Sequence, residues 1–358
     1  MSKKQTADKA MKKTSIGGQA LIEGVMMRGP EKTSMAVRHV SGEIVMESWP
    51  TSGQKRAAIW RVPILRGIYN LVDSFRFGYK CLMRSAELSG IEDEEDEEKA
   101  LSAPAESAVA VPDAENALIN TAVSVAETVP SAPPIAEKTE KKEGFLDKYM
   151  MPFLMTLSTV LGVLLAVSLF IWLPAQICAW LTPVIPALGH GFWKSLFEGV
   201  LKLLIFIGYV SLVSLLKDIR RVFMYHGAEH KSIFCYEHGE ELTVENVRKQ
   251  SRFHPRCGTS FMILMLIVGI VVAMFIPASL HAIPRSIIKL LCLPVVVGIG
   301  YELIKLAGRK DNLLTRIISA PGLWVQRITT KEPDDSMIEC AIAALKDVIP
   351  EDPDADNW

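Results

Sequence analysis

Between Tyr225 and Ser260 four metal-capable side chains stand as two close pairs, His226 with His230 and His254 with Cys257. The first pair lies in His226-Gly-Ala-Glu229-His230, of the form H-x-x-E-H, which puts two imidazoles one helical turn apart with a carboxylate beside them. Neutral imidazoles so placed can share one tetrahedral zinc, and an adjacent glutamate can take a proton from water there. Gly227 works against this reading, because glycine costs a helix interior about 1 kcal/mol relative to alanine. Two kinds of site fit the spacing. If His226, His230, His254 and Cys257 all bind, the site is closed and structural, and Glu229 only supports a ligand. If one does not bind, a position stays open and Glu229 becomes a general base.

Glu23 is a second catalytic candidate. It lies in a glycine-punctuated stretch, Gly17, Gly18, Gly24 and Gly29, beside Gln19 and Arg28. The plainer reading is a turn carboxylate that accepts backbone N–H groups. That stretch is no phosphate cradle of known type, since neither G-x-G-x-x-G nor G-x-x-x-x-G-K-[ST] occurs in it. Glu302, near Lys305, reads as half of a salt bridge at a span end. His39, His190, His238 and His281 stand alone and receive no role.

The elements that must hold these residues are apolar. Four blocks, Met151 to Leu173, Val200 to Leu216, Phe261 to Leu280 and Ile287 to Leu306, each approach the ~20 residues that cross a bilayer as helix. The mean hydropathy of +0.24 agrees. The expected fold class is therefore an α-helical polytopic membrane protein, with four transmembrane helices and a small N-terminal cytoplasmic α+β unit. Lys and Arg cluster before the first block, between the second and third, and after the fourth, so these flanks are expected to be cytoplasmic. The chain would then be a multi-pass protein of the cytoplasmic (inner) membrane with both termini cytoplasmic, and the pairs at 226/230 and 254/257 would share one membrane face.

Six scattered cysteines do not resemble a secreted disulfide framework. Met1 to Thr14 is lysine-rich with no apolar run behind it, so no cleavable signal peptide is expected. The net charge of -1 hides an acidic run that cancels several basic clusters; it gives no ground for a nucleic-acid partner. The expected partners are the lipid bilayer and other membrane proteins.

The chain organises as follows. Residues 1–88 carry the glycine-rich loop, a β-hairpin of Met35 to Val40 with Glu43 to Ser48, and an amphipathic stretch from Trp60 to Ala86. That stretch either lies on anionic headgroups or packs on the β unit with its basic face in water. Residues 89–144, with seven consecutive acids from Glu92 and then Ala, Pro, Glu, Val and Ser, read as a disordered linker. Residues 145–311 form the four-helix region, with the metal-site loop at 217–260. Residues 312–358 hold a C-terminal segment, with Trp324 as an interfacial anchor and an amphipathic helix over Met337 to Val348 carrying one apolar stripe.

With these segments in view, the chain resembles the bacterial membrane protein family called domain of unknown function 1385. The resemblance rests on Gly17-Gly-Gln-Ala-Leu-Ile-Glu-Gly-Val-Met-Met-Arg28, Tyr225-His-Gly-Ala-Glu-His-Lys231, His254-Pro-Arg-Cys-Gly-Thr-Ser260, and Pro321-Gly-Leu-Trp through Thr329-Thr-Lys-Glu-Pro333. It spans nearly the whole chain outside the linker and implies a metal-dependent enzyme. The leading expectation is a cytoplasm-facing zinc hydrolase, with zinc, or another divalent metal, on His226, His230 and one or both of His254 and Cys257. Glu229 would activate water, and a peptide bond or a lipid headgroup would suit as substrate. The rival is a non-enzymatic scaffold in membrane-protein biogenesis or quality control, whose zinc staples the loop. A transporter ranks third, since four spans show no internal repeat.

Overall fold

The computed structural model describes residues 12–51, 60, 62–91, 145–277, 280–309, 312–352 and 354–357. The expected linker falls almost wholly on residues 92–144, outside the described residues. The chain divides into two compact units, residues 1–96 with 166–358, and residues 97–165; the described part of the second is helical.

Four strands, β1 (Gly17–Leu21), β2 (Gly24–Arg28), β3 (Lys32–Arg38) and β4 (Ile44–Pro50), form an antiparallel sheet in chain order. The hairpin expected around Ser41-Gly42 is β3–β4. The glycine-rich stretch, expected to be a loop that turns or is tightly approached, is the hairpin β1–β2, with Gly18 opposite Met27. Its glycines serve close approach: a Cβ on Gly18 would sit 2.6 Å from the Met26 carbonyl and 3.0 Å from the Glu229 carboxyl carbon. Glu23, in the tight turn, takes the left-handed conformation, φ 51°.

Both sheet faces are covered, which explains why β2 and β3 read as apolar runs rather than alternating ones. On one face Leu21, Met26, Met35 and Val37 meet Cys81 of α1 (Leu65–Ser89). On the other, Val25, Met27 and Ala36 meet α11 (Asp335–Val348) and α5 (Lys217–Glu237). Helix α11 starts at Asp334, whose carboxylate accepts the Met337 N–H. It was expected to show one apolar stripe but is buried on most sides, from Met337 and Ile338 to Leu345 and Val348. Burying each such side chain stabilises the unit by about 1.5–3 kcal/mol.

The apolar blocks emerge shifted. The first is helical as α2 (Phe145–Val167), a π-turn at Ser168–Trp172 and α3 (Leu173–Leu181), giving a candidate span Thr156–Leu181 that runs eight residues past its expected end. The second is α4 (Gly191–Val213), beginning nine residues early. After the short helix α6 (Val244–Lys249), the third block is α7 (Gly258–Met274), 17 residues of apolar helix. The fourth is broken into α8 (Ala282–Leu291) and α9 (Leu293–Arg309), bent by 42°. In place of four expected spans, two helices among the described residues are long and apolar enough to cross a membrane, or three if the bent pair is one span. Helix α7 falls short because Phe275 to Pro277, before the expected end at Leu280, leave the helix.

Helix α10 (Leu313–Thr329) closes over the start of α7, with Gly322 against Ser260: a Cβ there would lie 2.6 Å from the Ser260 Cα. Its Trp324 is exposed. Glu302 accepts both Nε and a terminal nitrogen of Arg66 at the start of α1, a partner beyond the expected Lys305, which also acts on it electrostatically.

Candidate metal centre

Helix α5 runs unbroken through His226-Gly-Ala-Glu-His230. Gly227 is there for space. The segment after α10 crosses the helix at this point, Lys331 N–H donates to the Phe223 carbonyl at 2.8 Å, and any Cβ on Gly227 would run into the Lys331 carbonyl. The glycine that costs helix propensity is what lets a third segment reach the histidines.

That segment sets the first ring. His226 donates from Nδ1 to the Thr329 carbonyl at 2.9 Å, which aims its Nε2 at Cys257 Sγ, 3.1 Å away. His230 is fixed the same way, with Nδ1 donating to the Arg252 carbonyl at 2.6 Å. Its Nε2 is buried with no hydrogen-bond partner. Backbone carbonyls that fix the Nδ1–H tautomer and aim Nε2 inward are the usual supports of metal-binding imidazoles. Cys257 caps α7, its sulfur accepting the Thr259 N–H at 3.4 Å. The ligand atoms of His226, His230 and Cys257 all lie within 4.8 Å of one another, and all three residues are buried.

The electrostatics fit the donor set. Burial alone would push the Cys257 thiol up, but His226 and His230 hold it well below its ordinary value. Burial would likewise lower His226, yet Cys257 facing it raises it to about 9. Two imidazoles and a thiolate-prone sulfur around one point, one nitrogen of them orphaned, suit a borderline-soft ion such as zinc.

Glu229 lies beside this group. Burial pushes its carboxyl up, with His226 and His230 opposing. It accepts a backbone hydrogen bond from Gly18 of β1, while its Oε2 has no hydrogen-bond partner. The N-terminal sheet thus supplies a wall of the site.

The other expected residues stand apart from this convergence. The Nε2 of His254 lies 3.6 Å from Glu237 Oε2 and 3.4 Å from a terminal nitrogen of Arg256. Burial, with His230 and Arg256 nearby, keeps that imidazole below its ordinary pKa. Its ring centroid is 5.5 Å from that of His230. Glu23 accepts from Arg221 and, at 3.1 Å, from the Tyr225 hydroxyl, so it clasps α5 next to His226.

Several contributors carried no sequence signal, above all the carbonyls of Thr329 and Arg252, because a backbone acceptor has no residue signature. Gln326 could have been noticed as a lone amide in an apolar run. It is fully buried, its Oε1 accepting the His254 N–H at 2.8 Å and its Nε2 donating to the His254 carbonyl and Ser260 Oγ. Lys231, also buried, pairs with Glu332 at 2.8 Å and donates to the Arg248 carbonyl, pinning the 238–257 loop.

Comparison with known proteins agrees with the resemblance but adds no activity. Residues 62–351 match the family described as "Protein of unknown function (DUF1385)". The chain is 32% identical over 337 residues to the "Uncharacterized protein YqhQ" of Bacillus subtilis (strain 168), covering 94% of this chain and 92% of that protein. No solved structure matches. Neither description names a metal or a reaction, so the comparisons do not support the metal-dependent enzyme implied by the resemblance. By the extent of both matches, this chain belongs to the DUF1385 family.

Proposed function

We propose that the chain is a membrane-embedded, metal-dependent hydrolase whose zinc is held by His226, His230 and Cys257. The observation that carries this is the buried His230 Nε2, which has no hydrogen-bond partner and lies within 4.8 Å of His226 and Cys257 ligand atoms. Leaving such a group unsatisfied costs about 1–3 kcal/mol, which a metal bond would offset. Three protein ligands rather than four leave a tetrahedral ion one open position, the arrangement of catalytic rather than structural zinc.

When bound, zinc would supply Lewis acidity for polarising a carbonyl or phosphoryl oxygen. The chain's own residues do the rest. Thr329 and Arg252 carbonyls hold the imidazoles in one tautomer and orientation. Gly18 N–H anchors the Glu229 carboxylate, leaving Oε2 to accept a proton from water and return it to the leaving group. Glu23 acts at one remove, holding α5 through Arg221 and Tyr225.

The basic flanks support a cytoplasmic orientation for this face. A peptide bond and a lipid headgroup ester both suit such a position. The test is Glu229→Gln in the purified protein, with metal content and cellular phenotype read together. The hydrolase reading expects metal retained and phenotype lost. Metal retained with every phenotype intact removes Glu229 from catalysis, and visible spectra of a cobalt-substituted sample with no exchangeable position would then assign the centre to a closed staple.

A further inference from the structure

Helix α1 has two faces of unlike fate. Its inner face is locked. Gly78 packs on the Gln19 side chain, Cys81 is buried under the sheet, and Ser85 Oγ accepts the Ile22 N–H at 3.2 Å. At its N-terminal end Gly67 lies against Tyr301 and Gly298 of α9, with its would-be Cβ 2.7 Å from Tyr301 Cβ, and Arg66 pairs with Glu302. The helix therefore starts on an apolar membrane-region helix and ends on the soluble sheet.

The outer face is uncovered. Val72, Phe75, Tyr79 and Met83 follow one another at helical spacing, and Phe75 and Tyr79 are each 67% exposed. A contiguous apolar and aromatic strip on a surface helix marks an interaction site. The exposed positions between 72 and 84 also include Arg76, Lys80 and Arg84, while the half-buried Asp73 is paired with Arg28. Of these cations, Arg84 is held by Glu47 and Glu87, and Lys80 lies 5.6 Å over the Trp49 ring. Aromatic and aliphatic side chains with basic residues along the margin suit the headgroup boundary of an anionic bilayer, where rings sit at the interface and cations meet phosphate. The strip also continues from the end of α1 that is seated on α9. Of the alternatives left open by sequence, the packing on the β unit is present, and the outer face remains uncovered.

We propose that the outer face of α1, through Val72, Phe75, Tyr79 and Met83 with Arg76 and Lys80, docks on the anionic lipid surface of the membrane. Docking would hold the sheet, and hence Gly18 over Glu229, at a set height above the bilayer. The proposal is independent of what the metal centre does.

Photo-crosslinking on the full chain tests it. Benzoylphenylalanine is placed at Phe75 or Tyr79, whose exposure leaves folding undisturbed, and the protein is irradiated in nanodiscs of phosphatidylglycerol with phosphatidylcholine, or of phosphatidylcholine alone. Mass spectrometry should find lipid adducts at both positions, several-fold more with the anionic lipid. Combining R76E with K80E should reduce the adducts at position 75 several-fold while metal content stays unchanged. Adducts to a second copy or another protein in native membranes, or lipid adducts indifferent to lipid charge and to R76E/K80E, would overturn it.

Discussion

Two buried polar clusters invite comparison. Toward the far end of α4, Glu198 accepts Arg285 at 2.9 Å and Lys289 at 2.7 Å, while Arg285 also donates to Ser195 Oγ at 2.7 Å and Ser195 to the Ala273 carbonyl. Both carboxylate oxygens are used, and only the Nε of Arg285 is left over in that cluster. Around His226, His230, Cys257 and Glu229 the arrangement is reversed: the supports are complete, with Nδ1 fixed on both rings, while the inward atoms His230 Nε2 and Glu229 Oε2 are unmet. A cluster that satisfies itself is a staple. A cluster whose outer atoms are satisfied and inner ones are not is arranged around something else.

The largest effect should come from removing a ligand. H226A, H230A or C257S is expected to take metal content, read by inductively coupled plasma mass spectrometry, from about one equivalent to background. Loss of a supporting partner alone costs 10–100-fold in affinity by order of magnitude, and loss of a ligand costs more. If any of the three variants keeps a full equivalent, the comparison between the clusters fails at its unsatisfied side.

Next comes the satisfied cluster. Glu198→Gln leaves Arg285 and Lys289 without their counter-charge and should destabilise the helical part by roughly 3–5 kcal/mol, the scale for breaking a buried pair. Thermal unfolding in detergent reads this. Metal content should not change, because Glu198 shares no partner with the His/Cys group. A variant as stable as the parent would show that the ion pair is no staple.

These two clusters also measure what sequence could reveal. The H-x-x-E-H spacing was legible because helical geometry converts i and i+4 into proximity without tertiary knowledge. Cys257 was legible because it lies on the same helical hairpin. The carbonyls of Thr329 and Arg252 were not, since they arrive from distant segments and any residue type could supply them. Gly227 was read only as a cost to the helix, and the glycines from Gly17 to Gly29 as a loop that turns or is closely approached, because glycine marks both and only the three-dimensional neighbour distinguishes them. The β1–β2 hairpin was lost to that ambiguity. The Glu198 cluster was hidden in another way, because its acid lies just before one apolar block and its cations at the start of another, and their pairing requires the fold.

A smaller effect tests the close approach itself. Gly227→Ala forces its Cβ against the Lys331 carbonyl, so the 330–333 segment must shift, at about 1–3 kcal/mol, the usual cost of overpacking. Because the Thr329 carbonyl moves with that segment, metal affinity should fall about 10-fold as His226 loses its orientation. Competition against a chelator dye measures it. A stability loss without an affinity loss would separate the crossing segment from the centre.

The smallest expected effect is the one that discriminates most. His254→Ala should leave metal content at the parent level, because its Nε2 lies toward Glu237 and Arg256 rather than among the three converging ligands. Its removal should act on packing instead, since the His254 ring lies 4.7 Å from the Phe234 ring, centroid to centroid. A four-ligand centre makes the opposite forecast: His254→Ala would then reduce affinity as steeply as H230A. The ring of His254 is close enough to His230, at 5.5 Å between centroids, that a side-chain rotation rather than a change of fold separates the two arrangements. Equal losses in both variants would thus convert the open centre into a closed one and take the general-base role of Glu229 with it.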